Sequence, residues 1–231
     1  MTAEHTLPGT EATVRPSAPS RARLVVAAAL LVLVAVVVGL IVGRVTAASA
    51  PPTPSDTSAE AGFARDMQVH HGQAVEMALL VRDRTEDPEI RLLALDIATG
   101  QTQQQGQMYA WLAMWGLPQT SSEPEMTWMT RPPLDGSASH GEHSGTEHVP
   151  GEPMPGLATF EQMQALQQAE GVEAERLFLE LMIAHHIGGV EMAEAVVARS
   201  DEPVVLDLAA GMIALQQKEI DYMTELLDAR Q

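Results

Sequence analysis

The chain repeats itself. The segments Phe63-Ala-Arg-Asp-Met67-Gln-Val-His70-His71-Gly-Gln-Ala-Val75-Glu76-Met77-Ala78 and Phe178-Leu-Glu-Leu-Met182-Ile-Ala-His185-His186-Ile-Gly-Gly-Val190-Glu191-Met192-Ala193 share the pattern M-x-x-H-H-x-x-x-V-E-M-A. The offset of 115 positions then continues without a gap through Pro88 and Pro203, Gln101 and Gln216, Met108 and Met223, and Leu112 and Leu227. A unit duplicated at a fixed offset is one supersecondary element that buries its apolar face against its own copy. Phe63, Met67, His70, His71, Ala74, Met77, Ala78 and Val81 recur at three- and four-residue spacing, which is the period of a helix. The Asp87-Pro88 pair reads as a helix cap followed by proline at the first helical position.

The spacing predicts four long helices: about 59–84, 88–115, 172–199 and 203–229. A short helix is expected after Thr159, where Thr159 and Gln162 form a capping-box signature. The expected fold class is all-α: an antiparallel four-helix bundle made of two duplicated hairpins, 59–116 and 157–229. Between them, residues 117–156 are dense in Pro, Gly, Ser and Glu, show no hydrophobic period, and carry His140, His143 and His148. This stretch is expected to be a long mobile connection, with its histidines a secondary place for metal capture.

Ahead of the bundle lies an address. Residues 24–43 contain no charge and are rich in Val, Leu and Ala, with Arg21 and Arg23 before them and Arg44 after. About twenty apolar residues at roughly 1.5 Å each span a hydrocarbon layer of roughly 30 Å. The expected order is a cytoplasmic tail (1–23), a transmembrane anchor (24–43), a stalk (44–58) and an exported bundle (59–231). Arg15, Arg21 and Arg23 against Arg44 set that orientation. The competing reading is a secretory signal cut near Ala48-Ser49-Ala50, which would release the same bundle.

Cysteine is absent, so disulfides and thiolate sites are excluded. Any soft ligand is one of thirteen methionines. The formal charge is −18, from 31 acids against 13 bases, a balance that repels nucleic acid and attracts cations. Solubility is the plain alternative explanation for it.

The repeated residues are imidazoles and thioethers, neutral donors that suit a soft or borderline metal ion. If each hairpin reverses at its acidic-Pro turn, Met67 lies level with Met108, and His70 and His71 lie level with Gln104. In the second copy Met182 lies level with Met223, and His185 and His186 with Glu219. The candidate ligands are therefore Met67, His70, His71 and Met108 in the first hairpin, and Met182, His185, His186, Glu219 and Met223 in the second. Met77 and Met192 sit two turns further along, where a rise of about 10 Å makes them core packing or a second site. Glu76 and Glu191 point away, toward a supporting hydrogen bond or solvent.

On these residues the chain resembles the bacterial domain-of-unknown-function family numbered 305. The shared features are the His-His helix with its following Glu-Met-Ala, the acidic-Pro turn, and Gln216-x-x-Glu219-Ile220-x-x-Met223. The resemblance implies a ferritin-like fold, export, and in some members copper binding. The first hairpin departs from the pattern at Gln104 and Gly106.

The expected function is extracytoplasmic metal binding, with copper as Cu(I) or Cu(II) the leading ion and zinc or iron possible alternatives. Metal ions and the membrane are the expected partners, nucleic acid is not, and the oligomeric state is left open. No activated nucleophile is evident, so no enzyme activity is expected. A di-iron oxidase is the enzymatic alternative, but it wants Glu-x-x-His motifs, and Met67, Gln68, Met182 and Ile183 stand three before the histidines. A purely structural bundle, with the Met/His face as core, is the third reading.

Overall fold

The computed structural model describes residues 20–48, 53–136 and 148–230. Every long element among them is helical: α1 (Arg21–Ala48), α2 (Ala59–Arg84), α3 (Pro88–Met114), α4 (Phe160–Gln168), α5 (Gly171–Val197) and α6 (Pro203–Asp228), with a short 3-10 helix at Thr127–Thr130. Residues 1–52 and 53–231 form separate units.

In the first unit, α1 is apolar from Arg21 to Val45 with a mean hydropathy of 3.3, and none of that span is buried within the chain. Its length and composition let it cross a bilayer, and they suit a signal sequence equally.

In the second unit, local signals set the helix starts. Ser58 Oγ accepts from the Ala61 N–H at 3.3 Å, and Asp87 Oδ1 accepts from the Glu89 and Ile90 N–H groups at 2.8 and 3.3 Å. The capping box at Thr159 and Gln162 is formed. At the end of α3, Gly116 takes φ 71° and the Leu117 N–H returns to the Leu112 carbonyl at 2.8 Å. α2 ends at Arg84 as expected, and α3, α5 and α6 close one or two residues before the expected ends.

The hairpins α2/α3 and α5/α6 join through α2 against α5. Two apolar clusters result. Phe63, Met67, Met108 and Leu112 share one with Met192, Val196, Val205 and Met212. Met77, Val81, Ile90 and Ile97 share the other with Phe178, Met182, Met223 and Leu226. The start of α2 thus packs with the end of α5, and the end of α2 with the start of α5, so the two helices run antiparallel. The histidine pairs fall between the clusters.

The linker carries buried anchors that its sequence does not signal. In its described parts, 117–136 and 148–156, Met126, Trp128 and Met154 are buried. Trp128 meets Phe63 edge to face with ring centroids 5.8 Å apart. Asp66 Oδ2 accepts from the Met126 N–H at 2.8 Å and from Trp128 Nε1 at 2.9 Å. Burial raises the Asp66 carboxyl to about 6, against these two hydrogen bonds, which lower it. A loop that docks through isolated anchors leaves no period in the sequence. His140 and His143 lie outside the described residues.

A side-chain methyl at Gly62 would lie 2.5 Å from Trp128 Cδ1. Trp128→Ala should therefore destabilise the 53–231 unit by about 3–5 kcal/mol through cavity formation. Gly62→Ala should destabilise it too, by expelling the same ring. Urea unfolding of both variants checks this, and wild-type midpoints would show that the linker is not part of the cooperative unit.

Candidate metal centre

The duplication brings the four motif histidines into one buried layer at the α2/α5 contact. His70, His71 and His186 are fully buried and His185 is 1% exposed. The His70 and His185 rings lie face to face across the contact, with centroids 3.8 Å apart and planes inclined by 34°. His71 and His186 flank them, each with its centroid just over 6 Å from its sequence neighbour's.

Each imidazole is held through Nε2. His185 Nε2 donates to the His70 carbonyl at 2.9 Å, and His70 Nε2 donates to the Pro155 carbonyl at 3.0 Å. His71 Nε2 donates to Gln104 Oε1 at 2.7 Å, and His186 Nε2 to Glu219 Oε2 at 2.8 Å. All four partners are oxygen acceptors, so the proton of each neutral ring sits on Nε2 and the lone pair on Nδ1. All four Nδ1 atoms are buried without a hydrogen-bond partner. Buried acceptors are normally paired, and a neutral Nδ1 lone pair without a partner is chemically able to ligate a metal ion.

Burial lowers His70 to about 4 and His71 to about 3, and it lowers His185 well below its ordinary value. For His71 and His185 the charge of the neighbouring His70 acts in the same direction. Ligation requires the neutral ring, so the fold keeps these three in the ligand form well into acid.

The methionines lie on either side of this layer. Met67 and Met108 belong to one cluster and Met182 and Met223 to the other. Met77 and Met192, expected to stand apart, join the thioethers of the opposite hairpin: Met192 is with Met67 and Met108, and Met77 with Met182 and Met223. The antiparallel crossing of α2 and α5 causes this. Met126, Met154 and Met212 also belong to the first cluster and were not expected. Met212 could have been found, because it lies within one residue of the level of Met192. Met126 and Met154 come from the linker and carry no periodic signal.

Glu219 stands at His186, as its position in the hairpin implies. Glu191 instead receives His148 Nε2 at 2.6 Å, while its counterpart Glu76 is exposed. Among the described residues no three His, Asp or Glu side chains converge as a preformed cage.

Comparison with known proteins follows the same residues. The model of the DUF305 family, a domain of unknown function, matches residues 60–227. A candidate secreted DUF305 protein of Streptomyces coelicolor is 45% identical, with a TM-score of 0.65 over 76% of this chain and 94% of that one. A DUF305 fragment from Deinococcus radiodurans is 31% identical, with a TM-score of 0.59 over 78% and 99%. CopM in its Cu(II)-bound form is 25% identical, with a TM-score of 0.53 over 74% and 97%. Among curated proteins none matches.

The lowered histidines make stability depend on pH. Unfolded, each takes up a proton below about pH 6.5; folded, His70 and His71 do so only near 4 and 3. The unfolded chain therefore binds more protons across that window, and stability falls as the pH drops from about 6.5, by up to about 1.4 kcal/mol per unit for each histidine. Asp66 acts in the opposite direction between 3.8 and about 6, but it is one group against three. Urea midpoints of the metal-free 53–231 unit should decline from pH 7 to 4.5, and a flat profile would mean that the imidazoles are hydrated.

Proposed function

This chain belongs to the DUF305 family, and we propose that it is an extracytoplasmic copper-binding protein, tethered by α1, that buffers or sequesters the ion at the cell envelope. The observation that carries this reading is the layer of four buried imidazoles whose Nδ1 lone pairs have no partner. The fold shared with CopM, which binds copper, supports the choice of ion. Thioethers on both sides of the layer favour Cu(I), while imidazole accepts Cu(I), Cu(II) or zinc. The secreted description of the Streptomyces relative and the apolar α1 support the location.

In this reading the histidine layer supplies the nitrogen donors, with Met67, Met108 and Met192 available on one side and Met77, Met182 and Met223 on the other. Each Nε2–H bond fixes a ring orientation and keeps Nδ1 free for metal. The role is binding rather than turnover, since the motif holds no activated nucleophile and no Glu-x-x-His pair. His148, held by Glu191, and the neighbouring His140 and His143 form a secondary capture segment.

Replacing His70, His71, His185 and His186 by Ala should abolish tight Cu(I) binding while the helical content persists. Calorimetry against a competing chelator reads the affinity. Unchanged affinity would return the Met/His face to the role of core packing.

The two hairpins should also differ. Glu219 gives His186 a carboxylate acceptor that raises the basicity of its Nδ1, whereas Gln104 gives His71 a neutral amide. Supporting bonds of this kind change metal affinity about 10- to 100-fold. With His71 removed, Glu219→Gln should weaken the remaining site, and with His186 removed, Gln104→Glu should strengthen it. No response to either change would mean that these partners do not tune a ligand.

A further inference from the structure

The repeat places a second set of polar groups where nothing in the histidine layer uses them. Gln101 on α3 and Gln216 on α6 are equivalent positions, 5% and 3% exposed. Neither amide is satisfied: Gln101 Nε2 and Oε1, and Gln216 Oε1, are buried without a partner. Leaving such a group unpaired is destabilising, and the duplicated chain carries that cost in both copies.

Both amides line one cleft between α3 and α6, together with Asp96, Gln104 and Glu219 and the apolar edges Ile97 and Leu215. The cavity measures about 20 Å³, which admits one water-sized occupant and no organic ligand. Its lining contains two carboxylates and no basic residue. Gly189 on α5 faces the Gln216 amide, and a methyl there would lie 2.6 Å from Oε1, so the absence of a side chain makes room for that oxygen. Gln104 and Glu219 are also the acceptors for His71 and His186, and Asp96 is exposed. The cleft therefore reaches from solvent to the back of the imidazole layer.

We propose that this cleft is a second cation site, oxygen-lined and separate from the Nδ1 layer, that holds one hard divalent ion through Gln101 Oε1, Gln216 Oε1 and Glu219. Its donors are amide and carboxylate oxygens, which suit a hard divalent ion such as Mn(II) rather than Cu(I). The occupant satisfies both stranded amide oxygens and offsets the charge of Asp96 and Glu219. The site does not rest on the copper reading above.

The test uses Mn(II), a paramagnetic hard divalent ion, added to the full chain in detergent micelles. Side-chain amide resonances of Gln101 and Gln216 should broaden at substoichiometric Mn(II), before those of the exposed Gln103 and Gln217. The effect should persist when His70, His71, His185 and His186 are all Ala, so failure of the histidine reading cannot imitate failure of this one. Gln101→Leu with Gln216→Leu replaces two unpaired amides by apolar groups of similar size and should lower Mn(II) affinity at least tenfold. Gly189→Ala, which crowds only Gln216, should weaken the broadening there. Equal broadening of exposed and cleft glutamines in the wild type would show that a structural water fills the cleft, and would overturn the proposal. Unchanged Mn(II) affinity in the double variant would do the same.

Discussion

Everything in the bundle is arranged around imidazoles anchored by one nitrogen and left bare at the other. Burying four histidines is costly unless each polar atom finds a partner. The chain satisfies only half of them. Four Nε2 atoms donate to oxygens supplied by a neighbouring helix backbone, by the linker, by Gln104 and by Glu219. The four Nδ1 atoms remain open. The apolar clusters on either side bury Met67, Met108 and Met192 in one and Met77, Met182 and Met223 in the other.

The linker completes the layer and breaks its symmetry. Duplication alone would give His70 and His185 equivalent partners. Instead Pro155 enters at His70, which requires α5 to have no side chain at Gly188: a methyl there would lie 2.0 Å from the Pro155 carbonyl oxygen. Gly156, at φ 75°, turns the chain at the same contact. In the first repeat, the residue matching Gly188 is Gln73, and its amide holds Ala158 through two hydrogen bonds of 2.9 and 2.7 Å. One motif position thus serves two purposes: a long amide on α2 grips the returning chain, and a bare backbone on α5 lets it close in.

Much of this was legible in the sequence because period and level are local properties. The starts of α3, α4 and α6 follow from Asp87, Thr159 and Pro203. Counting outward from each turn finds the His71–Gln104 and His186–Glu219 pairs. What it cannot find is anything that depends on how one hairpin meets the other. The stacking of His70 on His185, and the exchange of Met77 and Met192 between hairpins, follow from the antiparallel crossing of α2 and α5. Treating each hairpin as a site of its own hid that. The docked linker was hidden for a different reason: Trp128, Met126 and Met154 are single anchors in a polar stretch, and three residues without a period look like a loop.

The central claim is that the motif rings are anchored through Nε2 and open at Nδ1, and that the open atom is the ligand. Long-range proton–nitrogen correlation spectra of the imidazole rings read this directly, first without metal and then with Cu(I) added under reducing conditions. The account predicts Nε2–H rings for His70, His71, His185 and His186 in the metal-free protein, with the Nδ1 resonances moving on addition of Cu(I) while the Nε2 protons stay in place. Rings protonated at Nδ1, or Nδ1 signals that ignore the metal, would contradict it.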